Sequence, residues 1–94
     1  MNAIRVNKFG EPDVMKLENR PDFQVEAGQI LVDIKAAGVN PVDTYIRAGT
    51  YPMKPELPFT PGMDGAGIVA AVGDTEGDIS VGQRVYLAGS LTGT

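Results

Sequence analysis

Twelve glycines and seven prolines are spread through 94 residues. That density is high for a helical protein and favours short strands joined by many turns. The length allows one domain, 1–94, because a second core would not fit. Hydrophobic residues make up 43% of the chain and charged ones 21%, the balance of an ordinary globular domain, so disorder and fibrous classes are excluded. A chain this short buries only about 60–65% of its unfolded surface and folds with little stability to spare.

Hydrophobic periodicity divides the chain into strands and one helix. Residues 3–8 alternate, with Ile4 and Val6 on one face and Arg5 and Asn7 on the other, which predicts a half-buried strand stopping at Gly10. Glu11-Pro12-Asp13 is a turn, and residues 14–18 alternate again as the return strand of a hairpin. Arg20-Pro21-Asp22 breaks that strand. A turn over residues 26–29 leads into the clearest strand, 30–36, with Ile30, Val32 and Ile34 on one face and Asp33 and Lys35 on the other. The period then changes. Val42, Tyr45 and Ile46 are spaced i, i+3, i+4, behind Asn40 as an N-cap and Pro41 at the first helical position, and Gly49 ends the helix. Pro52, Pro55 and Pro58 make residues 50–60 an extended loop. Residues 66–72 are apolar on both faces, which predicts a central strand. An acidic turn over 73–78, a second turn at 81–83 and a last strand over 84–88 complete an antiparallel, barrel-like β domain.

Composition narrows function mostly by exclusion. Twelve acidic against eight basic residues give a net charge of −4, and the bases are scattered, so no run of phosphates could be neutralised and nucleic acid is excluded as a partner. Cysteine and histidine are absent, which removes disulfides, thiolate nucleophiles and the two commonest transition-metal ligands. No apolar run approaches the roughly 20 residues of a membrane span, and Met1-Asn2-Ala3-Ile4-Arg5-Val6 lacks the features of a signal peptide. The expected location is the cytoplasm, with no membrane partner.

Individual motifs have plain structural explanations. Gly65-Ala66-Gly67-Ile68-Val69-Ala70 fits the G-x-G-x-x-A pattern of dinucleotide sites, but that pattern works between a strand and a helix N-terminus. Here an apolar strand follows, so these glycines are read as close-packing positions. Asn40, Asp43 and Arg47 are accounted for as cap, dipole complement and i,i+4 ion pair. Tyr45 on the apolar helix face reads as a core aromatic. Tyr51, Pro52 and Met53 could cover the core from a loop, and Asp64 could be a turn carboxylate.

Three longer segments carry a resemblance. Residues 38–51, Gly-Val-Asn-Pro-Val-Asp-Thr-Tyr-Ile-Arg-Ala-Gly-Thr-Tyr, resemble the signature of zinc-independent quinone oxidoreductases, the zeta-crystallin branch of the medium-chain dehydrogenases. Residues 61–69, Pro-Gly-Met-Asp-Gly-Ala-Gly-Ile-Val, resemble that superfamily's P-G-x-[ED]-x-x-G-x-V segment, and residues 9–15 resemble its opening F-G-x-P-E-V-L hairpin. Gly82-Gln83-Arg84-Val85 is similar to the family's G-D-R-V turn, with Gln83 in place of aspartate. The motifs fall in family order over nearly the whole chain.

The resemblance implies a mainly β, GroES-like, partly open β-barrel with one or two short helices, forming the substrate side of a cleft. The Rossmann domain that holds the cofactor would follow in the chain, so 1–94 is expected to be an N-terminal fragment truncated before it. Zinc alcohol dehydrogenases resemble this chain with a metal-binding cysteine at position 40 and a His-Glu pair at 63 and 64. Asn40, Met63 and Asp64 stand there instead, too few ligands for a tetrahedral zinc. The implied reaction is hydride transfer from NADPH to a quinone or another conjugated carbonyl, without a metal. The resemblance puts Asn40 and Tyr45 against the nicotinamide and the acceptor, with Tyr45 nearest the cofactor. Asp43 would hold that wall, Tyr51 would shape the mouth of the cleft, and Met63 and Asp64 would border the place of the zinc ligands. A homo-oligomer is expected, and truncation is expected to leave unpaired strand edges near Leu87 and Leu91. The alternative is a stand-alone GroES-like binding or structural module without catalysis.

Overall fold

The computed structural model describes residues 1–74, 77–90 and 92–94. The described elements are β1 (Asn2–Val6), a 3-10 turn (Pro12–Val14), β2 (Met15–Asn19), β3 (Ile30–Ala37), α1 (Pro41–Ala48), β4 (Asp64–Val72) and β5 (Arg84–Ala88). Every strand expected from the alternation is present within two residues of its predicted bounds. The expected Glu11–Asp13 turn is the 3-10 turn, which takes Val14 out of the return strand and buries it. Of the acidic turn expected over 73–78, Thr75 and Glu76 lie outside the described residues, as does Leu91.

The strands form two antiparallel sheets, β1-β2 and β3-β4-β5. They are open sheets, and the barrel is not closed. The hairpin is tied to the proline-rich loop by a bridge in which Val6 and Phe59 exchange backbone hydrogen bonds at 2.8 and 3.1 Å. As its two-sided apolar pattern predicts, β4 is the central strand of the larger sheet, and Gly67 and Val69 are buried there. A Cβ on Gly67 would collide with the carbonyl of Asp33 on β3. The glycines of the G-x-G-x-x-A pattern therefore serve strand packing. The two turns hold their ends with one device. In each, a glycine with positive φ (77° at Gly28, 90° at Gly82) precedes a glutamine. The side-chain oxygens of Gln29 and Gln83 accept the N–H groups of Glu26 and Ser80 at 3.2 and 3.1 Å. Gln83 thus closes the turn in which the resembling family carries aspartate.

One expectation is corrected and one holds. Ile30, Val32 and Ile34 do share the groove face of β3, although shifts between Leu31 and Val32 and between Ile34 and Ala36 interrupt its register against β4. Lys35 and Asp33 do share a side and pair at 2.8 Å. On β1, Val6 is fully buried while Ile4, on the same side, is exposed, because it faces the open groove between the sheets. That groove, about 1300 Å³, is walled by Ile4 and Leu17 of the hairpin and by Ile30, Val32 and Ile34 of β3. Among the described residues, only Val6, Val14 and Val69 form a buried apolar core.

Candidate functional site

The site is built where the end of β3 turns into α1 and meets the start of β4. Asn40 has extended backbone (φ −120°, ψ 156°) at the N-cap, Pro41 opens the helix, and Gly49 (φ 79°) ends it in the left-handed conformation that glycine tolerates. The helix therefore has the bounds its sequence predicts. Asp43, in its first turn, accepts the backbone N–H of Asn40 at 2.8 Å through Oδ2. Asp43 is buried, and its Oδ1 has no hydrogen-bond partner among the described residues.

The side chain of Asn40 is turned to the N3 amide of Asp43 in a capping-box arrangement but closes no cap hydrogen bond to it. Its amide nitrogen instead donates to Asp64 Oδ2 at 2.6 Å, a charge-assisted contact of the stronger kind. Asp64 is the first residue of β4 and is fixed through its backbone: its carbonyl accepts the N–H of Gly38 at 3.0 Å and the hydroxyl of Thr94 at 3.0 Å. Three of the six predicted positions, Asn40, Asp43 and Asp64, are thus joined by hydrogen bonds across 24 residues of sequence.

Tyr45, Tyr51 and Met63 are not bonded into this cluster. Tyr45 is 52% exposed, while its helix neighbours Val42 and Ile46 are half-buried. The core-aromatic reading of Tyr45 is overturned: the helix turns the ring outward. Tyr51 and Met63 are also exposed, at 37% and 43%, and Met63 holds its place by accepting the Gly89 N–H at 3.0 Å. The expected Asp43–Arg47 ion pair is not formed. Arg47 Nε donates to Gly10 O at 3.1 Å, and Gly10 N–H donates to Arg47 O at 3.0 Å, so the arginine ties the helix to the hairpin instead. Gly38 was not singled out from the sequence, yet a Cβ there would lie 3.1 Å from Asp64 Cβ and 3.8 Å from Asn40 Nδ2. A glycine two residues before an N-cap was the available signal.

The wide groove between the sheets is a different place. Of the six predicted positions only Asp43 lines it. Its aliphatic walls come from both sheets, which marks it as unfilled interior. Among the described residues no group of three or more acidic, histidine or cysteine side chains is placed to hold a metal ion, and no helix is long and apolar enough to cross a membrane.

Residues 26–94 match the profile of the alcohol dehydrogenase GroES-like domain. The chain belongs to that family. This GroES-like chain is 52% identical over 94 residues to a quinone oxidoreductase of Sus scrofa, a match that covers 99% of this chain and 29% of the relative. Among solved structures, the Escherichia coli quinone oxidoreductase complexed with NADPH superposes with a TM-score of 0.90 at 38% identity. That match covers 98% of this chain and 28% of the other. A mycobacterial quinone oxidoreductase gives 0.86 at 42% identity, covering 95% and 28%. The GroES-like chain therefore spans under a third of the length of the proteins it resembles.

Proposed function

We propose that this chain is the N-terminal, substrate-side domain of an NADPH-dependent quinone oxidoreductase that works in the cytoplasm, as a homo-oligomer and without zinc. The observation that carries the reading is the Asn40–Asp64 hydrogen bond of 2.6 Å. It occupies the positions at which the resembling zinc alcohol dehydrogenases keep ligands. An amide that donates to a carboxylate, with a methionine directly before that carboxylate in sequence, is not a zinc donor set.

The residues present fit one end of the cofactor. The exposed Tyr45 ring offers an apolar face for stacking on a nicotinamide, and Asn40 at the start of the same helix offers polar atoms. No phosphate cradle exists among the described residues, since the one glycine-rich pattern lies inside β4. Binding of the pyrophosphate is therefore assigned to the remainder of the protein. NADPH, when bound, supplies the hydride. The chain's own part is orientation of the acceptor and hydrogen bonding to its carbonyl oxygen as negative charge develops there. A quinone is electron-poor enough to accept hydride without a Lewis acid, so placed donors suffice. Tyr51 and Met63 border the acceptor, and Asp43 fixes the backbone of Asn40.

The test pairs two measurements on a protein containing this chain and its cofactor domain. NADPH oxidation with a simple quinone is followed by absorbance, and zinc is counted by elemental analysis after washing with chelator. Turnover with no stoichiometric zinc is expected. One tightly held zinc per chain, or an inert protein, rejects the reading.

A further inference from the structure

The Asn40 carboxamide lies between two groups of opposite demand and is bonded to one of them, Asp64. On one side is the amino end of α1, whose partial positive charge favours an oxygen; the Asn40 side chain is turned to the Asp43 amide there, although that N–H donates to the Asn40 backbone carbonyl at 2.9 Å. On the other side is the Asp64 carboxylate, which when ionised can only accept, and it takes a hydrogen from Asn40 Nδ2 at 2.6 Å. A primary amide has one oxygen and two N–H groups. With one N–H committed to Asp64 and the oxygen turned to the helix side, the second N–H is a donor left to a ligand.

We propose that Asp64 is a positioning residue that fixes the orientation of the Asn40 amide, so that position 40 presents an N–H donor to a carbonyl or phenolate oxygen. Removal of the Asp64 carboxylate lets the amide rotate and offer oxygen to an oxygen. Three features make the holder rigid. Asp64 is paired with Ala88 in the sheet, its carbonyl is bonded to Gly38, and the backbone of Asn40 is pinned by Asp43. Gly38 leaves the space that the pair occupies. The identity of the ligand oxygen rests on the reductase reading above, but the orientation of the amide does not.

Two readouts separate these statements. In the 94-residue chain with labelled asparagine, NMR follows solvent exchange of the two Asn40 side-chain protons. One is expected to exchange roughly tenfold more slowly than the other, as a hydrogen bond to a charged acceptor requires. Asp64→Ala is expected to abolish the difference, and Asp64→Asn, which keeps an acceptor oxygen, to restore part of it. Equal exchange in the parent chain, or an asymmetry that survives Asp64→Ala, overturns the proposal. In a protein with its cofactor domain, Asp64→Ala is expected to lower kcat for quinone reduction about tenfold with KM for NADPH unchanged, and Asp64→Asn to fall between. An unchanged kcat overturns the donor role. If the exchange asymmetry responds to Asp64 while the parent protein reduces no quinone, the reductase reading fails and the positioning stands.

Discussion

Of the two glycines in the central strand Gly67 has the less room, since a Cβ there meets the Asp33 carbonyl across the β3–β4 pair. Gly67→Ala is expected to destabilise the chain by about 1–3 kcal/mol, the usual cost of overpacking, read as a lower urea midpoint. An unchanged midpoint would mean that the two strands separate more easily than their packing suggests. Tyr45 makes the opposite prediction. With half of its surface in water, Tyr45→Ala is expected to cost the fold less than about 1 kcal/mol. In a protein with its cofactor domain the same change is expected to weaken NADPH binding, while Tyr45→Phe keeps the ring and most of the affinity. A Tyr45→Ala chain that melts while folded protein binds NADPH normally would return the residue to the core. The site was legible residue by residue but not as a cluster. Asn40 and Asp43 sit three apart at a helix start, where capping rules find them. Local rules read Asp64 as a turn carboxylate, and the resemblance alone put it at the border of the site, because a side-chain contact between distant segments leaves no periodic trace. The outward turn of Tyr45 was hidden for a related reason: helical spacing marks a shared stripe but not which edge of the stripe meets solvent.

At the scale of elements, α1 was readable in full because both of its ends carry local chemistry, Asn40-Pro41 at the start and Gly49 at the stop. β3 was readable in place and length but not in register. A bulge inserts one residue without altering hydrophobic content, so the alternation of Ile30, Val32 and Ile34 could not reveal the shifts at Leu31 and Ala36. Arg47 belongs here too. Local spacing offered Asp43 as its partner, and the fold brought the Gly10 carbonyl closer in its place. Arg47→Ala is therefore expected to loosen the hairpin, with a loss of roughly 1 kcal/mol in stability. Amide exchange over residues 7–14 is expected to accelerate while the β3–β4 core keeps its protection. Uniform acceleration across both sheets would show that the arginine is not a local tie.

For the whole molecule, the telling quantity is surface. A folded monomer of this mass exposes roughly 5200 Å², and this chain exposes 6646 Å². Its radius of gyration is 14.1 Å, where a closed domain of this length would have about 12 Å. Leu17 and Val39 lie 69% and 86% exposed, and β5 has β4 on one side and no strand on the other among the described residues. Such an edge, with Tyr86 84% exposed, invites a second copy. The isolated chain is expected to sediment with concentration-dependent mass, and to oxidise no NADPH in the presence of a quinone, having no pyrophosphate cradle among its described residues. A strictly monomeric chain at all concentrations would count against the first statement, and turnover near that of a two-domain protein against the second. The open groove also sets the thermodynamics of unfolding. Apolar walls that are already hydrated in the folded state contribute nothing when the chain melts, so the heat-capacity increment is expected to fall below the roughly 1.1–1.4 kcal/mol/K usual for this length. The stability curve of the lone chain is then broad and shallow, and whatever seals the groove sharpens it.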